Sequence, residues 1–326
     1  MPLTRERKRG IAAKFTLLVT AAIWGSAFIV LKDAIDGLPV FFVLAFRFLT
    51  GGALLAAVFF RSFKNIGLKV VLKGAATGAV VAAAYAVQTI GLKHTTPGVN
   101  AFLTAVYCVI TPFMTWAVTR KRPSVFRFAA ASICFAGIGL LSVSGGGGFT
   151  FMGEGMTLIS GVFFAAQIVL IDVLAKDEDP MQFTVWELLS CGAILLVVYL
   201  AAQLDEPLNI DGAEWGRLIY LGAVATALAL ALMTMGVRYA SPVASALIMS
   251  LESVFGVAFS LLFGYEKISA KSAFGFLLIF VAIVLGEGGP ALLSYLKNKT
   301  PAKQKSAETA PEVADAEAVK KDNADP

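Results

Sequence analysis

Ten apolar runs of about 18 to 23 residues follow one another along this 326-residue chain, at about 12–31, 39–60, 69–91, 98–119, 125–143, 152–174, 181–202, 214–236, 241–263 and 270–288. A helix of that length just crosses roughly 30 Å of hydrocarbon. In lipid each backbone N–H and C=O must be satisfied within the chain, so runs of this kind are helices. The period-2 alternation of a membrane barrel is absent. Only 15% of residues are charged and the mean hydropathy is +0.78, whereas a soluble domain keeps roughly a quarter of its residues charged. The fold class expected is all-α integral membrane.

The connectors are short and marked by Pro39, Pro97, Pro123, Pro180 and Pro242. Lysine and arginine fall unevenly on them. If the N-terminus is inside, 21 of the 27 basic residues lie on the inner side, starting with Arg5, Arg7, Lys8, Arg9 and Lys14. The outer side holds Lys32, Lys93, Arg217, Lys267 and Lys271, and Arg47 alone sits within a span. Positive charge stays cytoplasmic, so both termini are expected in the cytoplasm, with the chain multi-pass in the plasma (inner) membrane. The skew is carried mainly by the first half. This sorting accounts for the net charge of +5 without a nucleic-acid partner. The basic start followed by an apolar run mimics a signal peptide, but more membrane spans follow it, so an uncleaved first span is expected. Cys108, Cys134 and Cys191 are widely spaced within apolar runs and read as packing residues.

An offset of 145 residues aligns the two halves. Thr89 falls on Thr234, Gly91 on Gly236, Lys93 on Arg238, Pro97 on Pro242 and Ala101 on Ala246. The shared Gly-x-Lys/Arg-x-x-x-Pro pattern places a helix end, a cation and a proline before the next span in both copies. Five spans per copy is an odd number, so the second copy must cross in the opposite sense. The expectation is ten transmembrane helices as two five-helix inverted repeats, an arrangement that places substrate at the repeat interface in secondary transporters. The organisation expected is a basic cytoplasmic N-terminus (1–11), a first repeat (12–143), a Gly-rich join (144–151), a second repeat (152–290) and a largely disordered cytoplasmic tail (291–326).

Several motifs resemble the EamA-type transporters of the drug/metabolite transporter superfamily, over about residues 12 to 290. They are Trp24-Gly25-Ser26, Arg47, the segment Gly91-Leu92-Lys93-His94-Thr95-Thr96-Pro97 and its counterpart Gly236-Val237-Arg238-Tyr239-Ala240-Ser241-Pro242-Val243, and Gly264-Tyr265-Glu266 after the ninth span. In the first half, Arg120-Lys121-Arg122 stands where the family usually has an acidic residue. The resemblance implies an inverted ten-helix bundle that moves metabolites such as amino acids, often outward, without fixing the substrate.

Polar side chains inside spans are the candidate site. Asn100, Thr104, Tyr107, Thr111 and Thr115 form a stripe at helical spacing in the fourth span; their counterparts in the ninth are Ser245, Met249, Glu252, Gly256 and Ser260. In lipid such a stripe faces other helices or a wet cavity. Glu252, near mid-span, needs a cation, water or a proton. It is expected either to contact a substrate amine or carry a coupling proton, or else to pair structurally with Arg47. Trp24, Tyr85, Gln88 and Gln167 are further cavity candidates, Gln88 as a gate. Arg47 and Glu187 can instead snorkel to opposite interfaces. Gly74 and Gly78 suit close helix packing, and Pro112 is expected to kink the fourth span, as a hinge or a static bend.

His94 is the sole histidine, and neither a Gly-x-Ser-x-Gly elbow nor a Gly-x-x-x-x-Gly-Lys-Ser/Thr phosphate loop occurs. No catalytic residue, metal or cofactor is therefore expected. The functional expectation is a secondary transporter of small metabolites. A passive facilitator or channel is the main alternative, and an intramembrane enzyme or a structural scaffold is more remote. The partners expected are a small solute and the bilayer, with homodimerisation left open.

Overall fold

The computed structural model describes residues 5–64, 66–120, 122–144, 150–239, 245, 248–267 and 269–299. Most of the Gly-rich join, Lys121, the Ser241-Pro242-Val243 step and the tail beyond Lys299 lie outside the described residues. The described chain is helical throughout: α1 (Arg5–Gly37), α2 (Val40–Val58), α3 (Leu68–Lys93), α4 (Pro97–Thr104), α5 (Tyr107–Thr119), α6 (Val125–Ser144), α7 (Met156–Leu174), α8 (Pro180–Ala202), α9 (Gly212–Ile219), α10 (Ala229–Tyr239), α11 (Leu251–Leu262) and α12 (Ala270–Lys299). Wide π turns at Phe151–Gly155 and Tyr220–Leu228 lead into α7 and α10. Among the described residues, seven helical stretches are long and apolar enough to cross a bilayer, and three shorter apolar helices accompany them.

Corresponding elements of the two halves pack on one another. α2 lies against α8, α4 against α11, and α6 against α12. α3 rests on α7 and α8, just as the stretch from Tyr220 through α10 rests on α1 and α2. The predicted Gly74/Gly78 pair is one of the close approaches that permit this. A Cβ on Gly78 would stand 2.5 Å from the Glu187 carbonyl, and one on Gly74 would stand 2.8 Å from Trp186 Cβ. Only hydrogen side chains let α3 come this near to α8.

Side-chain bonds show which connections share an end of the bundle. Lys32 Nζ, on α1, donates to the Lys93 carbonyl that ends α3 (3.1 Å), Thr95 donates to Glu154 (2.8 Å), and Arg217 lies 4.0 Å from Asp33. These make up the Asp33 end. At the other end Lys73, near the start of α3, pairs with Glu178 between α7 and α8 (2.6 Å), and the Arg9 guanidinium stands over the Tyr239 ring. This is the Lys73 end.

The fourth span is interrupted, but not where the sequence leads one to look. Pro112 sits inside α5, while the break falls at Ala105-Val106. The same break recurs at Ser250, 145 residues on, where the proline is replaced by Val257. Pro112 therefore does not cause it. Cys108 N–H bonds the Ala105 carbonyl at 3.0 Å, and Ser253 N–H bonds the Ser250 carbonyl at 3.4 Å. The interruption belongs to the repeat, and it sets the direction of the two half-helices that follow.

Candidate functional site

Between the two halves lies a cavity of about 610 Å³, within the range typical of small-molecule sites. Exposed Pro180 and Thr234 border it, so it opens toward the Lys73 end. Toward the Asp33 end it stops on Leu31, Gln88 and Thr104, which are 2%, 4% and 3% exposed. Its wall is mostly apolar, with Phe28, Phe164, Ile168 and Leu230 among the lining side chains.

The wide turn Tyr220–Leu228 supplies one polar edge. Widened helical turns leave backbone groups free for other partners and recur at functional sites. Here the Ala225 carbonyl accepts from Trp24 Nε1 at 2.9 Å. Thr226 Oγ1 donates to the Leu221 carbonyl at 2.9 Å and accepts from Arg47 Nε at 3.0 Å. The Arg47 guanidinium also stands 5.4 Å from the Phe48 ring centre and 5.1 Å from that of Tyr85. Such contacts stabilise a desolvated cation by about 2 kcal/mol. Arg47 is 5% exposed and belongs to the cavity wall; it does not snorkel.

Two carboxylates, Glu187 and Glu252, share the cavity wall with Arg47. Glu187, on α8, is buried and accepts from Gln167 Nε2 at 2.9 Å. The interfacial placement considered for it from sequence is not what the structure has: α3 packs on α8 at this level through Gly74 and Gly78, and Glu187 is 5% exposed. Glu252 has no hydrogen-bond or salt-bridge partner among the described residues, although it shares the cavity wall with Arg47. The direct ion pair with Arg47 is not formed. Glu252 lies in the first turn of α11, just past the break, where helix dipoles favour negative charge. Tyr107, its counterpart, is the first residue of α5 and also lines the cavity.

Of the residues singled out from sequence, Trp24, Arg47, Tyr85, Gln88, Thr104, Tyr107, Gln167 and Glu252 meet at this cavity. Gln88 donates to Thr104 at 2.9 Å. Asn100 and Ser245 lie elsewhere. Asn100 is fully buried and donates to the Gln88 carbonyl and to Thr157, and Ser245 is 6% exposed and away from the wall. The predicted continuous stripes are cut short beyond the break. Thr111 donates back to the Tyr107 carbonyl, and Gly256 packs on Ala101. Glu187, Phe164 and Thr226 are wall residues that sequence reasoning did not select.

A family model described as the EamA-like transporter family matches residues 12–143 and 151–286. The chain belongs to the EamA-like transporter family. Among similar proteins, an uncharacterized transporter of Archaeoglobus fulgidus is 28% identical over 282 residues, covering 86% of this chain and 87% of the relative. An uncharacterized transporter of Synechocystis sp. is 26% identical over 133 residues, covering 41% and 40% of the two chains. A crystal structure superposes with a TM-score of 0.62 at 18% identity, covering 84% of this chain and 95% of the other, a likeness of fold. Together with the apolar helices, this family membership makes the chain a multi-pass membrane transporter rather than an enzyme.

Proposed function

We propose that this EamA protein is a secondary carrier that moves small metabolites, amino acids or related compounds first among them, outward across the plasma membrane by alternating access. The observation that carries the reading is the cavity between the halves, open at the Lys73 end and packed shut toward the Asp33 end. A carrier holds its solute where two repeats meet and exposes it to one side at a time. In this reading the helices Val125–Leu140, Leu251–Leu262 and Ala270–Gly286 complete ten spans as two inverted five-helix repeats. The lysine and arginine skew supports a cytoplasmic placement of both termini and of the Lys73 end, so an exporter would load its solute from the side on which the cavity opens.

Glu252 is assigned to the substrate's amine or to a proton exchanged for it, because among the described residues it is the charged wall residue without a hydrogen-bond or salt-bridge partner. Arg47, Trp24, Tyr85, Gln88, Thr104, Tyr107 and Gln167 supply the surrounding contacts. The test begins with thermal stabilisation of the purified protein across a metabolite panel, since a bound solute stabilises with the logarithm of its saturation. Counterflow in proteoliposomes follows. A carrier transiently concentrates labelled solute against an unlabelled pool; a vesicle population that only equilibrates the label would make the protein a pore and sink the carrier reading.

A further inference from the structure

The Asp33 end holds a contact whose carboxylate and glycine are not repeated in sequence at the offset of 145. Gly264, with φ of +79°, closes α11. The Tyr265 N–H reaches back to the Ser260 carbonyl (2.9 Å) and the Gly264 N–H to the Leu261 carbonyl (3.1 Å), the paired bonds of a glycine-terminated helix. This turn aims Glu266 at the start of α4. Glu266 Oε1 accepts from the Thr96 hydroxyl and, at 3.1 Å, from the Val99 N–H. The carboxylate lies flat on Gly98, where a Cβ would stand 2.0 Å from Oε2. Only glycine at 98 admits it.

The neighbouring residue reaches α1. The Tyr265 hydroxyl donates to Asp33 Oδ1, and Arg217 approaches Asp33 Oδ2 at 4.0 Å while bonding Glu214 at 2.5 Å. The Tyr265 hydroxyl pKa is pushed up to about 12, first by its bond to Asp33 and then by burial, so it remains a donor at physiological pH. Tyr265 and Glu266 thus tie α1, α4 and the α11–α12 connection together, just beyond the point where the cavity stops.

In sequence, the offset of 145 pairs Glu266 with Lys121 and Gly98 with Val243. The symmetry-related pair, Lys121 and Val243, therefore has neither the carboxylate nor the glycine. A contact needed simply to build a repeat would be expected in both copies. One present in a single copy can weight the two ends of an inverted repeat unequally.

We infer that Glu266, seated on Gly98 and bonded to Thr96 and Val99, is a one-sided latch that holds the Asp33 end closed and biases the resting carrier toward opening at the Lys73 end. The inference rests on the carrier reading above. Opening the Asp33 end requires this carboxylate to leave the start of α4. Burial pushes the Glu266 carboxyl above the ordinary carboxylate range, against the hydrogen bonds from Thr96 and Val99, so a neutral acceptor of the same shape is tolerated there.

The test is a pair of spin labels at Asp36→Cys and Lys267→Cys, both exposed positions at this end, on a background with the three native cysteines replaced. Pulsed dipolar distances are read in the full-length protein in proteoliposomes. Glu266→Lys removes the acceptor and should add a longer-distance population, raising the open-to-closed ratio roughly tenfold or more, as expected for loss of hydrogen bonds to a charged group. Gly98→Ala displaces the carboxylate without altering its charge and should do the same, which keeps the test decisive if Glu266→Lys does not fold. Glu266→Gln should keep the wild-type distances. Wild-type distances in Gly98→Ala or in folded Glu266→Lys would overturn the latch. Counterflow on the wild type judges the carrier separately: widened distances in a protein that does not exchange solute leave the latch standing and remove the carrier.

Discussion

Ala105 and Ser250 stand 145 residues apart and interrupt their helices at the same point of the repeat, each lending its carbonyl to the N–H three residues on. Directly after the two breaks come Tyr107 and Glu252, which face one cavity. The pairing of an aromatic hydroxyl with a carboxylate is the chief polar asymmetry between the two half-helices. It follows from a shared backbone device carrying different side chains.

Because the break recurs without a proline, Pro112→Ala is expected to leave it in place. The Cys108 carbonyl gains a donor, so stability should hold or rise by about 1 kcal/mol. Counterflow should proceed at the wild-type rate. A large loss of exchange with unchanged thermal stability would make Pro112 itself the hinge.

Thr226→Val keeps the shape of a side chain that joins the wide turn to Arg47, and removes its oxygen. Arg47 Nε, in a residue 5% exposed, then loses its acceptor. Loss of a hydrogen bond to a charged group costs about 1.5–3 kcal/mol. A fall in thermal stability of that size is expected. Restoring a hydroxyl with Thr226→Ser should recover most of it, whereas a merely steric role for Thr226 would not discriminate between the two replacements.

The ten apolar runs and the offset of 145 were legible in the sequence because both rest on strong constraints: the thickness of hydrocarbon, and a glycine, a cation and a proline at fixed spacing. Tyr107 and Glu252 could be matched for the same reason. The stripes through Asn100 and Ser245 failed at their starts. Thr104 and Tyr107 flank the break and both line the cavity, but regular spacing does not show which turn of a helix meets a cavity and which meets a neighbouring helix. Asn100 turns into the α3–α4–α7 contact, while Thr104 stays on the cavity. Glu187 was misplaced through distance along its span. Its burial is set by α3 pressing on α8 through Gly74 and Gly78, a tertiary fact. Glu266 was legible as part of a motif, but its seat on Gly98 depends on two segments 168 residues apart.

The α3–α8 approach gives a contrast between two glycines. Gly78→Ala drives a methyl to within 2.5 Å of the Glu187 carbonyl, and such overpacking costs about 1–3 kcal/mol. It should also weaken solute binding, since α8 carries Glu187 in the cavity wall. Gly139 has nothing within 4 Å of its Cβ position, so Gly139→Ala should stabilise by about 0.5–1 kcal/mol through helix propensity. Melting temperatures of the two variants should move in opposite directions, with ligand-induced stabilisation reduced in Gly78→Ala alone.

Glu252→Gln separates a functional carboxylate from a structural one. A buried charge that holds a partner is costly to remove, by about 3–5 kcal/mol, because the partner is left uncompensated. Glu252 makes no such bond among the described residues, so the ligand-free variant should melt no lower than the wild type. Binding should respond differently. If the carboxylate receives a substrate amine, apparent affinity for an amine-bearing ligand falls roughly tenfold to a hundredfold, the loss expected for one charged hydrogen bond of about 1.5–3 kcal/mol. If instead it carries a proton, binding persists while the dependence of exchange on external pH flattens. Both outcomes keep Glu252 in the transport cycle. Unchanged affinity together with an unchanged rate and pH profile would remove it, leaving Glu187 with its Gln167 bond as the acidic group of the cavity to examine by the same comparison.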